Sequence, residues 1–333
     1  MSRLRICVLV LGPLPIVACS IALSGWMKSS APAAAPNIAL RDRSAAIRRV
    51  AHSELAAETR RAQPHRAAAT SLAADCETAA RALRDRMGSD SEVITRPPFV
   101  ISGDIPQAEL ESWHARTIGP AARALARAYF GVGPSKPITV LLFSSADSYD
   151  RYAQKLFGDS GISVYGYYKP RERTLVMNIS TGGGTLVHEL THALIAFDFP
   201  QVPDWFNEGL ASLHEQCQIH DEVGKEWIEG FENWRLPGLQ KRIRQKQLRS
   251  LESLVKQDDF RGQQESLNYA QARYLCLYMQ RLGLLPNFYR EFRDHYASDP
   301  SGAGSLLKVF KGRTWESLDR DYQLWAAGLK TSQ

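Results

Sequence analysis

The rhythm of apolar and polar positions changes near residue 97. Upstream, residues 38–87 are rich in Ala and Arg and hold no strand-like run, which predicts one or two helices, interrupted at Pro64 and loosely attached. Downstream, short β-branched runs alternate with helical spacing. Phe99, Val100 and Ile101 predict a strand, and Leu110, Trp113, Ile118, Ala121, Ala122 and Leu125 recur at the intervals of a helix over 107–130. Residues 138–143 are continuously apolar behind Pro137, as a strand buried on both faces reads. Ser145 stands where an N-cap belongs, ahead of a helix to about residue 157. Two more strands, 164–168 and 174–179, flank the polar turn 169–173 and predict a hairpin.

Gly182, Gly183 and Gly184 then break the sheet. No Lys follows to make a phosphate loop, so they read as a flexible connector. A helix over 185–197 follows with Thr185 as its cap, and Pro203 begins another that runs to about residue 217. Beyond residue 219 the pattern predicts helices only, over 223–234, 239–255, 265–282, 284–296, 306–309 and 315–329, with no fixed-period repeat. The predicted class is α+β: a small mixed sheet first, helices after it. The implied division is a leader over 1–24, a Ser-, Ala- and Pro-rich linker over 25–40, an Ala/Arg-rich helical segment over 41–92, an α/β part over 93–218 and a helical subdomain over 219–333.

With 44% hydrophobic residues in 333, the chain can bury a sizeable core in one or two domains. Its net charge of +6 comes from both signs interspersed, without a nucleic-acid motif, so nucleic acid is not an expected partner. The basic run Lys241, Arg242, Arg244, Lys246 and Arg249 lacks interleaved aromatics and reads as a solvated helix face.

The first residues carry an export signal. Arg3 and Arg5 precede an apolar run over 6–18. The sequence Ile16-Val17-Ala18-Cys19 resembles a bacterial lipobox, which implies lipidation at Cys19 and a place in the bacterial cell envelope. Two alternatives stand: residues 6–27 as a membrane anchor, or cleavage after Ser24 to release a soluble protein. Membrane association through that anchor or lipid is the expected partnership. Cys76, Cys217 and Cys276 allow at most one internal disulfide.

The chemistry concentrates in His188-Glu189-Leu190-Thr191-His192. Histidines at i and i+4 share one helical face a turn apart, so both imidazoles can reach one cation, while Glu189 points beside it. A carboxylate there can take a proton from metal-held water and pass it to a leaving amine. Leu186, Val187, Leu190, Ala193, Leu194 and Ile195 make the helix largely buried, where unpartnered polar groups are costly. A catalytic zinc site takes three protein ligands and one open position. Glu208, in Asn207-Glu208-Gly209-Leu210-Ala211 on the next helix, fits as the third, with Asp198 and His214 as alternatives.

The runs 183–194 and 203–211 together resemble the gluzincin metallopeptidases, and most closely the bacterial peptidase MA-like family, over about residues 97–283. That resemblance implies a zincin-like fold, a Zn2+ ion on His188, His192 and Glu208, and a peptide or protein substrate paired to an edge strand, either 164–168 or 174–179. It also implies a tyrosine donor for the oxyanion, with Tyr269, ahead of Tyr274, in the matching range. Where many thermolysin-type members carry an Asp four residues after the ligand Glu, this chain has Ser212. Glu215 or a backbone carbonyl is then the candidate to orient a histidine. The alternative reading is a zinc-stabilised binding or assembly module, and Glu189, which a structural site would not need, speaks against it.

Overall fold

In the computed structural model, residues 70–88, 91–222 and 224–330 are described; the leader, Cys19, the linker and most of the Ala/Arg-rich segment lie outside them. Five strands form one mixed sheet in the order β1-β2-β3-β5-β4: β1 Val93–Arg96, β2 Phe99–Gly103, β3 Ile138–Phe143, β4 Gly166–Lys169 and β5 Thr174–Asn178. β2, β3 and β5 run parallel, while β1 and β4 close the edges antiparallel to their neighbours.

Strand residues alternate between faces, and both faces are covered. Val100, Leu141, Phe143 and Val176 pack against Cys76, Ala80, Leu83 and Met87 of a helix over 70–87, here α1, and against Tyr149 of α4 (Ala146–Phe157). That helix is therefore fastened to the sheet rather than loosely attached. Ile101, Val140, Leu142, Leu175 and Met177 face the other way, into the main core. There they meet α2 (Gln107–Trp113), α3 (Gly119–Ala128) and α5 (Gly184–Asp198).

α5 crosses β4 and β5, and α6 (Asp204–Leu213) returns beside it. The remaining helices are α7 (Leu236–Arg244), α8 (Leu251–Lys256), α9 (Glu265–Arg281), α10 (Leu285–His295), α11 (Ala303–Val309) and α12 (Trp315–Gly328). α6 packs tightly on α9 at Gly209, where a Cβ would stand 3.0 Å from the Ala272 carbonyl oxygen and 3.1 Å from Cys276 Sγ. That close approach fixes the depth at which the neighbouring Glu208 sits. Among the described residues no helix is long and apolar enough to cross a membrane, and all three cysteines are free.

Ser145 caps α4 as its position predicts, accepting from the Ser148 N–H at 3.2 Å. Several other expectations are corrected. The helix expected over 223–234 is instead a hairpin of β6 (Cys217–His220) and β7 (Trp227–Gly230), so α6 stops at Leu213. Gly224, at φ 77°, lies in the turn between its strands, and the charged residues there had imitated a solvated helix. The helix expected over 239–255 is two, because Lys246 takes φ 55° and Ser250 caps α8 afresh. β1 was not expected. The helix over 107–130 widens to a π turn at His114–Ile118, the stretch whose Arg116 carbonyl Pro120 cannot bond.

The triple glycine is a packed helix start rather than a loose connector. Gly182 takes φ 102°, and Gly183, not Thr185, is the N-cap of α5. A Cβ on Gly184 would stand 2.4 Å from the Glu215 carbonyl oxygen, so this glycine lets α5 begin against residue 215.

Candidate metal centre

His188 and His192 lie one turn apart on α5 and line a cleft beside β4, their rings 4.7 Å apart and nearly perpendicular. Their Nε2 atoms face each other at 3.0 Å, and Glu208 Oε2, delivered by α6, lies 3.4 Å from each. A tetrahedral cation with bonds of about 2.0–2.2 Å needs ligand atoms about 3.3–3.6 Å apart. The three atoms nearly meet that spacing. Glu208 Oε2 is buried and has no hydrogen-bond partner of its own, a costly state for a carboxylate oxygen that a cation would relieve. The donor set of two imidazoles and one carboxylate therefore fits a divalent metal ion.

Glu189 brings a carboxylate oxygen to within 4.8 Å of the ligand atoms of both histidines while lining the adjoining cleft. It is the spare carboxylate at the site. Burial pulls the His188 imidazolium down, but Glu208 and Glu215 beside it outweigh burial and hold it at about 10. Burial raises Glu208 in turn, yet the two imidazoles keep its carboxyl well below the usual range. The pocket thus favours positive charge between these groups.

The supports extend one layer outward. Asn207 Oδ1 lies 2.9 Å from His192 Nδ1, so that imidazole donates there and turns its Nε2 inward. Glu215 Oε1 stands 3.2 Å from His188 Nδ1, at pairing distance though not aligned as a hydrogen bond, and is itself gripped by Arg235 through both oxygens. Glu215 therefore takes the place left open by Ser212. Asn207 stands next to Glu208 in the chain, and that adjacency is the sequence signal for its place beside His192.

Arg261 was not foreseen at all. From the loop before α9 it donates to Glu208 Oε1, to Asp204 Oδ2 at 3.0 Å and to the Tyr269 hydroxyl at 2.8 Å. By holding Oε1 it leaves Oε2 directed at the imidazoles. Loss of such an outer partner costs about 10- to 100-fold in metal affinity or activity. Arg261→Gln is accordingly expected to weaken metal binding by that factor in chelator competition, with the far-UV circular dichroism unchanged.

Tyr269 lines the cleft beside His188 and Glu189. Burial and then the charge of Glu208 push its phenol well above the ordinary range, so it stays a hydrogen-bond donor. Tyr274 is fully buried, its hydroxyl occupied by the Asn233 backbone. The two alternatives to Glu208 as third ligand are placed elsewhere. Asp198 receives the Gly131 and Val132 amides, the Tyr289 hydroxyl and the Arg293 guanidinium. His214 is buried against Tyr129, held neutral by burial and then by Arg273, down to about 3.

No family model and no curated protein matches the chain. Among solved structures, the native yeast LTA4 hydrolase is similar at 12% identity and a TM-score of 0.39, over 73% of this chain and 40% of that one. The chain thus spans less than half of that hydrolase's length.

Proposed function

We propose that this chain is a zinc-dependent metallopeptidase with a zincin-like, gluzincin-type catalytic half. The observation that carries the reading is the convergence of His188 Nε2, His192 Nε2 and Glu208 Oε2, mutually 3.0–3.4 Å apart, with Glu189 unengaged beside them. When bound there, zinc supplies a Lewis acid that polarises a carbonyl and makes water a nucleophile near neutral pH.

The protein's own groups do the rest. Glu189 accepts a proton from the attacking water and returns it to the leaving amine. Tyr269 donates its hydroxyl proton toward the developing oxyanion, and Arg261 fixes both Tyr269 and Glu208. β4, the edge strand that lines the cleft, supports the pairing of an extended peptide through its free backbone groups. β5 is internal to the sheet and has no free edge to offer. A purely structural zinc site would need neither an open cleft nor a spare carboxylate.

Action in the bacterial cell envelope follows from the leader read in the sequence; lipidation at Cys19 is checked by fatty-acid labelling of Cys19→Ala against wild type. A peptide-library digest by the zinc-loaded protein tests the activity. Tyr269→Phe is expected to lower kcat by about 100-fold, the cost of one oxyanion donor, with zinc content intact. Unchanged turnover would remove Tyr269 from the site.

A further inference from the structure

The cleft does not end at the metal site. One lobe, of about 510 Å³, runs from His188 and Glu189 past Tyr168 to Ile195, Phe199 and Val202. A second, of about 450 Å³, runs the other way past Thr185 and Gln216 to Trp234. Ser163, Gly166, His188, Glu189 and Tyr269 line both, so His188 and Glu189 sit where the two lobes meet and His192 opens on the first.

A cleft that trims chain ends needs a charged group to hold the terminal ammonium or carboxylate, because a buried charge without a counter-ion is expensive. Besides the imidazoles and Glu189, the charged side chains among the described residues are Glu208 and Arg261 in the first lobe and Glu215 and Arg235 in the second. Every one of them is engaged. Arg261 spans Glu208 and Asp204, and Arg235 holds both oxygens of Glu215. Glu189 is committed to the water, and an ammonium bound to it would remove the base. The cleft therefore has, among the described residues, no free partner for a chain terminus.

It has instead what an uncharged mid-chain segment uses. β4 has a strand partner on one side only; Gly166, Tyr167 and Tyr168 line the first lobe and Gly166 reaches the second, the four residues spanning about 13 Å. Beyond it, Tyr165 at 55% exposure and Trp234 at 73% both line the second lobe. Arg235 covers one face of that indole at 4.2 Å. Exposed aromatics at the wall of a polar lobe suit side chains of a substrate that continues outward.

We propose, resting on the peptidase reading above, that the enzyme is an endopeptidase: it binds the interior of an extended polypeptide, with residues on both sides of the cut bond seated in the two lobes. The whole chain, loaded with zinc, is given matched sets of about ten-residue peptides, one with free ends and one acetylated and amidated, and the products are identified by mass spectrometry. Blocked peptides are expected to be cut at interior bonds, with kcat/KM within about threefold of the free ones. Resistance of the blocked set by more than about tenfold, with one or two residues released stepwise from a free end, would overturn the proposal and leave the peptidase reading standing. If the zinc-loaded protein cuts neither set, the peptidase reading itself fails, and this inference with it.

Discussion

Glu189→Gln is expected to cost about 10²- to 10⁴-fold in kcat, the range for a general base, while zinc stays bound in its usual amount. The amide keeps the size and polarity of the carboxylate but accepts no proton. Glu189 lies next to His188 in sequence, yet its oxygen is 4.8 Å or less from the ligand atoms without being the third to close the triangle, a role Glu208 fills from α6. The substitution therefore separates chemistry from metal binding. Activity within tenfold of wild type would mean that another group takes the proton. Loss of zinc together with activity would mean that Glu189 is a ligand.

Glu208→Ala should act on the other half of the account and release the metal. An outer-layer partner is worth about 10- to 100-fold in affinity, so a direct ligand is expected to cost more than about 100-fold, read by competition with a chromogenic chelator. Structure should largely survive, because α6 is held by Trp205, Phe206, Leu210 and Leu213 in the main core and by its packing on α9. The variant also leaves Arg261 with Asp204 and Tyr269 as partners. Retained zinc at wild-type affinity would place the third ligand elsewhere.

How much of this could be read from the sequence depended on how local each signal was. The five-stranded sheet was largely visible, since residues 138–143 and the hairpin punctuation at 169–173 are dictated within a few residues. His188, His192 and Glu189 were legible because helical spacing alone puts them together, and Glu208 because only a short Pro-bounded loop separates α6 from α5. β6 and β7 were not, because each has four residues and few apolar positions, too short for alternation to show against the polar turn.

Arg261 was invisible for a different reason. It stands 53 residues beyond Glu208 in a loop, and only the packing of α9 against α6 brings it there. The role of Gly184 likewise needs the structure, since nothing nearby in the chain says that Glu215 will lie against it. Glu215 could be offered from sequence as one candidate to orient a histidine; its distance to His188 and its hold on Arg235 are tertiary facts.

The central claim is that side chains from α5 and α6 hold one divalent cation between them. Elemental analysis of the purified chain after dialysis into metal-free buffer measures this directly. The account predicts about one zinc per chain, removed by a strong chelator and restored by added zinc. Less than about a tenth of an equivalent, with no uptake when zinc is supplied, would contradict it.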